Sequence, residues 1–392
     1  MIDKNTLIET LNLGIKKNKS DAVCFKIPVK ASVALITTKN KFAAAPVLLS
    51  RENIQKKTPK YLLVNSGNAN ACTGKKGADN AKECASYISK KLNCKKEEVL
   101  LFSTGIIGQQ LPIKKISAAI NLHDFKFKST WKSAAKSIMT TDKFHKYINK
   151  NIVIKGVKIN IEAICKGAGM IEPNMATMLS FINIDIKLPK KTLTKILKKS
   201  AESSFNRISV DGDMSTNDCV LMIASGKESK INFESDNYAY NILEKEIILI
   251  CQDLSKMIIK DGEGATKVIQ IEILKAANLT QAKKAAYTIA NSNLIKTAIY
   301  GSDPNWGRII AKLGSIDSVK YNPNKIILKI NGHGVFEKGV QPKKFNITKL
   351  NKSMKKKEIS IQIDLNNGKN SFSLLTSDLT KAYVHINSAY TS

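Results

Sequence analysis

Short apolar runs alternate with polar stretches throughout the first third of the chain. AVCFKI at residues 22–27, ASVALITT at 31–38 and KYLLVNSG at 60–67 read as short strands separated by helical segments. Residues 79–92 have helical spacing, with Ala81, Cys84, Ala85 and Ile88 on one face. MLSFINIDI at 178–186 is apolar and partly alternating, the pattern of a buried strand. PKKTLTKILKKSAESSF at 189–205 then starts with proline, a common first-turn residue, and brings Leu193, Ile196 and Leu197 inward. Near the end Ile359, Ile361, Ile363 and Leu365 alternate strictly, and NNGK at 366–369 predicts a hairpin turn into SFSLLTS. Strands and helices mixed in this way predict an α/β fold, an α+β sandwich with mainly antiparallel sheets.

Length and charge narrow the picture. At 392 residues the chain can bury a large core and fill two or three domains. No N-terminal signal pattern is visible, and the longest apolar stretches, such as EIILI from Glu246, fall far short of a membrane span. Seven cysteines (24, 72, 84, 94, 165, 219 and 251) form no CxxC pair, so neither a zinc site nor a disulfide framework is indicated. These features predict a soluble, cytoplasmic protein.

The net charge of +31 would support binding to nucleic acid or anionic lipid, but of 63 basic residues only Arg51, Arg207 and Arg308 are arginine. Base and phosphate recognition favours the planar guanidinium fork. A solvated, lysine-rich surface whose field favours small acidic molecules fits better, and neither a nucleic-acid nor a membrane partner is expected. The lysine face of residues 189–205 reads as an ordinary amphipathic helix. Arg308, in DPNWGR, is either a rigid bidentate cation for its site or an arginine stacked on Trp306.

KGAGMIEPNMATMLS, residues 166–180, carries the chemistry. Gly167, Gly169, Pro173 and Asn174 make it rich in turns. It reaches Ala176 and Thr177 and runs straight into the apolar strand. A threonine at a strand start, entered through a glycine turn, is what self-processing hydrolases use. Its hydroxyl attacks the preceding carbonyl, the backbone splits, and the freed α-amine becomes the threonine's own base. A bare glycine turn into a core strand is the alternative reading. The four histidines sit in unrelated contexts and support neither a metal site nor a histidine-activated nucleophile. GNANACTGKK lacks the spacing of a phosphate loop, and GEGATK lacks the third glycine of a dinucleotide fingerprint, so no nucleotide cofactor is expected. Ser103-Thr104-Gly105 follows VLLF and should lie where a strand ends in a tight turn. There a glycine N–H and a threonine hydroxyl can point at one oxygen.

Together with this segment, NSGNANACTG (65–74), STGIIGQQLP (103–112), SVDGDMSTND (209–218), DGEGATK (261–267), GSDPNWGR (301–308) and YVHINSAYTS (383–392) resemble the glutamate N-acetyltransferase/ornithine acetyltransferase family of arginine biosynthesis. The blocks stand in the family's order and span nearly the whole chain. The resemblance implies helices outside stacked sheets, the self-processing fold shared with certain aminopeptidases, with two lobes meeting at the cleaved threonine. It implies self-cleavage between Ala176 and Thr177, giving an α subunit (1–176) and a β subunit (177–392) that assemble as an α2β2 heterotetramer. Thr177 is then the nucleophile, and Thr104 and Gly105 match the oxyanion pair. Thr141, Lys166, Thr177, Glu263, Asn387 and Ser392 match substrate-binding positions, so the chain terminus should be ordered. The implied reaction moves an acetyl group from N-acetylornithine to glutamate through an acetyl-threonine. No metal or organic cofactor is implied, and acetyl-CoA stands as a possible co-substrate. An amidohydrolase or aminopeptidase of the same fold, releasing the acyl group to water, is the alternative. Ala168, Glu172 and Met214 depart from the family pattern. They bear on fine specificity rather than on the reaction.

Overall fold

A computed structural model describes residues 5–17, 19–172, 178–226, 228–343 and 345–389. The chain begins with β1 (Leu7–Leu11), β2 (Ala22–Lys26), β3 (Ser32–Thr37), α1 (Ala45–Lys56), β4 (Tyr61–Asn68), α2 (Gly74–Lys91), β5 (Val99–Ile106), α3 (Ile113–Leu122) and α4 (Trp131–Ser137). There follow β6 (Lys146–Ile154), β7 (Val157–Lys166), β8 (Leu179–Ile184), α5 (Lys190–Ser203), β9 (Ile208–Ser209), β10 (Cys219–Ala224) and α6 (Asn237–Lys260). The last part holds β11 (Val268–Ala276), α7 (Leu279–Ala290), α8 (Asn293–Tyr300), α9 (Trp306–Gly314), β12 (Ile327–Ile330), β13 (His333–Glu337), α10 (Ile347–Met354), β14 (Glu358–Asp364), β15 (Asn370–Ser377) and α11 (Lys381–Ala389). Two compact units result among the described residues, one from those up to 206 plus 213–255, the other from 207–212 and 256–389.

The first unit holds two sheets, ordered β1-β2-β4-β5 and β3-β10-β8-β7-β6. Strand alternation decides what each face meets. Val23 and Phe25 of β2 turn inward and share a core with Phe102 of β5 and with Leu179, Phe181 and Leu221 of the other sheet. The Phe181 ring lies 5.3 Å from that of Phe25 and 5.7 Å from that of Phe102. Ala22 and Cys24, on the opposite face, pack instead with Ala81, Cys84, Ala85 and Ile88 of α2, the face that sequence spacing predicts. Helix α5 packs on β3 and β10, burying Leu193, Ile196 and Leu197 as expected. Strand β8 has all six residues buried because both its faces are covered, which is why its alternation is incomplete. Edge strand β5 is closed by α1. Ser50 Oγ accepts from the Leu101 N–H and donates to the Leu101 carbonyl, each at 2.7 Å, so both backbone groups of Leu101 on that edge are satisfied.

The second unit is a six-stranded sheet, β13-β12-β14-β11-β15-β9, whose isoleucine face packs against Ala282, Ala285, Ala286 and Ile289 of α7. The expected hairpin between β14 and β15 is not formed. Strand β11 lies between them, parallel to β14 and antiparallel to β15, with Ile269, Ile271 and Ile273 in register with Ile359, Ile361 and Ile363. A matched row of isoleucines outcompetes local pairing. The 366–369 segment passes over the end of β11, where Leu365 N donates to Leu274 O and Asn367 N to Lys275 O, both at 2.9 Å. A Cβ on Gly368 would stand 2.3 Å from Ala276 O, so close approach is what demands glycine there. Across both units the pairs β4–β5, β8–β10, β11–β14 and β9–β15 are parallel and the rest antiparallel, the mainly antiparallel α/β sandwich expected. Among the described residues no helix is long and apolar enough to cross a membrane.

Candidate active site

Parallel pairing of β4 with β5 sets Ser66 beside Thr104 and Gly67 beside Gly105. Ser103, Thr104 and Gly105 are therefore not a tight turn, as expected, but the last part of a strand with a bulge against Gly67–Asn68. Gly105 has φ +129°, and a Cβ built there would lie 2.3 Å from the Gly67 carbonyl carbon. Only glycine lets the two strands run that close. The Asn217 side-chain amide donates to Ala69 O at 2.7 Å and to Ser103 O at 2.9 Å. One amide thus ties together the sequence blocks at 65–74, 103–112 and 209–218.

Lys166 closes β7 and donates from Nζ to Thr104 Oγ1 at 3.1 Å, both residues being 9% exposed. Its strand partner is Leu179, the first residue of β8. The chain is fixed at Glu172 and at Met178, on either side of residues 173–177. Glu172 N donates to Asp213 O at 3.0 Å, and Cys219 N to Met178 O at 2.9 Å. Ala176 and Thr177 themselves lie outside the described residues, as does Ser392.

Asp142, in the loop after α4, is the electrostatic centre of this region. Its Oδ1 accepts from Lys146 Nζ at 2.7 Å and from the Gly167 N–H at 2.8 Å, and Oδ2 accepts from the Thr140 N–H at 2.9 Å. The Asp142 and Lys146 side chains are both fully buried. Burial alone would raise the carboxyl pKa. The Lys166 and Lys146 ammoniums and the hydrogen bonds outweigh it and hold the pKa at about 2. Asp142 therefore stays ionised and fixes the backbone turn directly after Lys166. Thr141 sits half-buried between Thr140 and Asp142.

Lys16 also belongs to this cluster. The loop from Gly14 wraps around the Asp21 carboxylate, which accepts from the N–H groups of Leu13, Ile15 and Lys16 at 2.6, 2.7 and 2.9 Å. Lys16 Nζ then reaches Ser66 Oγ and Met139 O. Its pKa falls to about 8, chiefly through burial, with Lys166 and Lys19 pushing the same way and Asp21 and Asp142 opposing. Neither Lys16 nor Asp142 stands out in the sequence. The only available signal is Asp21, an acidic residue at the head of an apolar strand.

In the second unit DGEGATK forms the loop between α6 and β11. Gly264 has φ +68°, and a Cβ there would lie 2.4 Å from the Tyr383 N of α11. Thr380 Oγ1 donates to Gly264 O at 2.8 Å, and the Thr266 and Lys267 N–H groups donate to Asp378 Oδ1 at 2.9 Å each. Against this frame Asn387 Nδ2 donates to Glu263 Oε2 at 2.9 Å, bringing together two residues 124 positions apart. Within the first unit Thr104, Gly105, Lys166 and the Thr141 loop are likewise gathered. Arg308 donates from Nη1 to Leu294 O at 2.7 Å, a bond from α9 to α8. Among the described residues no group of three or more His, Cys, Asp or Glu side chains is placed to hold a metal ion.

The family model described as the ArgJ family matches residues 7–392. An arginine biosynthesis bifunctional protein ArgJ, mitochondrial, from Dictyostelium discoideum is 42% identical over 97% of this chain and 91% of its own length. The arginine biosynthesis bifunctional protein ArgJ of Lactococcus lactis subsp. lactis is 39% identical over 99% of this chain and 97% of its own. Among solved structures, the arginine biosynthesis bifunctional protein argJ from Bacillus halodurans is similar with a TM-score of 0.50 and 35% identity, over 55% of this chain and 100% of that one.

Proposed function

The chain belongs to the ArgJ family, and from that premise we propose that it moves the acetyl group of N-acetylornithine to glutamate through an ester on Thr177. Maturation comes first. The Thr177 hydroxyl attacks the Ala176 carbonyl, the amide C–N bond breaks, and water hydrolyses the resulting ester. Ala176 is left as a carboxylate and Thr177 with a free α-amine, as subunits 1–176 and 177–392.

The same oxygen then attacks the acetyl carbonyl, and its proton passes to the Thr177 α-amine. An α-amine with a pKa near 8 suits a base working at neutral pH. The tetrahedral oxyanion takes hydrogen bonds from the Thr104 hydroxyl and the Gly105 N–H. As the intermediate collapses, the proton moves to the leaving amine, ornithine departs, and the acetyl stays on Thr177. Glutamate enters, its α-amine attacks the ester, and Thr177 Oγ recovers its proton. Lys166 polarises Thr104 and, with Thr141, receives a substrate carboxylate. Glu263, held by Asn387, receives an ammonium. Nucleophile, base and oxyanion donors all come from the chain.

The observation that carries this reading is the contact of Lys166 Nζ with Thr104 Oγ1 on a strand paired with the first residue of β8. Only Met178 lies between Leu179 and Thr177 in the sequence. That short spacing in sequence is what supports assigning the Thr104 hydroxyl to the reaction of Thr177.

Intact-mass measurement tests it. The purified protein should give two fragments cut after Ala176. Adding N-acetylornithine should add one acetyl mass to the later fragment, and adding glutamate should remove it. An uncut chain that turns over normally would overturn the reading. So would ornithine release at equal rates with and without glutamate, the behaviour of an amidohydrolase. Acetyl-CoA in place of N-acetylornithine tests the second donor in the same assay.

A further inference from the structure

Lys16 bridges two pieces of the candidate site that its own sequence position does not foretell. Its ammonium bonds to Ser66 Oγ, and Ser66 is the register partner of Thr104. It also bonds to Met139 O at 2.6 Å, at the start of the loop that presents Thr141 and Asp142. The stem packs on the oxyanion strand pair as well. A Cβ on Gly67 would meet Lys16 Cγ at 3.1 Å, and Gly67 in turn lies against Gly105. Ser66 is fully buried and its hydroxyl donates a hydrogen bond to Ser137 O at 2.6 Å. The Asp21 carboxylate, holding three N–H groups of the loop, fixes the direction from which Lys16 enters.

We infer that Lys16 is a positioning residue for acetyl transfer, a cationic strut that holds the Thr104–Gly105 strand against the Thr141–Asp142 loop and adds positive charge behind the developing oxyanion. This rests on the reaction proposed above and extends it to a residue outside the matched motif blocks. Two of the three ammonium donors are engaged at Ser66 and Met139. Lys16 also lines a cleft of about 360 Å³ with Lys19, Ser20, Lys136 and Thr140, so its charge sits partly walled from bulk water. A fixed cation there strengthens toward the transition state without reorganising.

The charged groups facing Lys16 are Asp21 and Lys19 on its own loop, Lys136 on α4, Asp142 on the loop after it, and Lys166 on β7. Their balance with burial brings the ammonium to lose its proton near pH 8. The sign follows directly. Below that pH Lys16 is charged and supports the oxyanion. Above it the charge goes and turnover falls. The Thr177 α-amine contributes the opposite limb, since it must be neutral to act as base.

The test is the pH profile of kcat for N-acetylornithine to glutamate transfer in the parent protein, in Lys16→Met and in Lys16→Arg. The parent should lose kcat above about pH 8. Lys16→Met should have kcat at least ~10-fold lower at pH 7, corresponding to about 1.4 kcal/mol, with a smaller change in KM and no alkaline fall. Lys16→Arg, which keeps its proton throughout, should recover most of kcat and carry the plateau to higher pH. If Lys16→Met does not fold, Lys16→Arg alone decides, because its alkaline limb must still move. An alkaline limb unchanged in either variant would refute the role of Lys16, even where stability drops. A parent that never acquires an acetyl group on Thr177 refutes the reaction itself, before any variant is compared.

Discussion

Lys166 Nζ donates to Thr104 Oγ1 across 3.1 Å, joining the end of β7 to the bulged end of β5. A hydroxyl that accepts from an ammonium must direct its single proton elsewhere. The ammonium also makes that proton a stronger donor. Thr104 is therefore set to give a hydrogen bond, which is what an oxyanion requires.

Removing the donor without changing shape isolates this. Thr104→Val should lower kcat ~10²–10³-fold, the usual cost of one oxyanion donor, while KM changes little. Thr104→Ser should retain much of the rate. Steady-state kinetics on both variants check it, and a KM effect larger than the kcat effect would place Thr104 in ground-state binding instead.

Thr177→Ala should give a single full-length band on a denaturing gel and no acetyl transfer. Thr177→Ser should still cleave, because a hydroxyl remains at the attacking position. Cleavage of the alanine variant would remove Thr177 from both roles.

Strands and helices were largely legible because burial follows period. The α2 face and the inward side of α5 lie where spacing puts them. The 366–369 turn misled because a strand ninety residues upstream, with the same isoleucine period, takes the place beside β14. Local sequence cannot rank a neighbour against a distant competitor. Ser103–Gly105 misled for a related reason. Glycine there serves the close approach of Gly67, not a turn. Lys16 and Asp142 were illegible altogether. In a chain of 63 basic residues, no spacing marks which lysine is buried.

Gly105→Ala should be severely destabilising. The added methyl meets the Gly67 backbone at 2.3 Å and must adopt a φ that L residues rarely take. Backbone cannot yield as a flexible side chain can, so β4 and β5 must part. A loss of several kcal/mol is expected from strain of this kind. Thermal denaturation, or loss of soluble protein, reports it. A variant with the parent's melting temperature would mean that the bulge relaxes freely.

Asp142 links the cluster to pH. Its pKa in the fold is about 2, below the ordinary value of 3.8. The stabilisation is thus fully present above the unfolded value and is lost as pH falls from about 4 towards 2. It amounts to about 2 kcal/mol at neutral pH. Asp142→Asn leaves Lys146 as a buried cation without its anion, which costs roughly 3–5 kcal/mol. Denaturant titrations at pH 7 and pH 3 should show the variant less stable at pH 7 and less sensitive to acid than its parent. Parallel pH curves would mean that Asp142 carries no part of the acid dependence.

The C-terminal helix leads to a last prediction. None of the α11 residues is fully buried, so its packing alone would not hold it in place. Specific bonds do. Thr380 anchors its start to Gly264, and Asn387 anchors its last turn to Glu263. Glu263 is only 7% exposed, so without Asn387 its carboxylate loses a neutral donor in a mostly buried place. Hydrogen bonds to charged groups contribute about 1.5–3 kcal/mol. Asn387→Ala should therefore raise KM for both amino-acid substrates and loosen the helix, seen as faster amide exchange across residues 381–389. A bulky tag after Ser392 should depress activity well below that of the same tag placed before Met1. Equal activity of the two tagged proteins, together with unchanged exchange in Asn387→Ala, would show that the Glu263–Asn387 bond neither orders the helix nor serves the substrate.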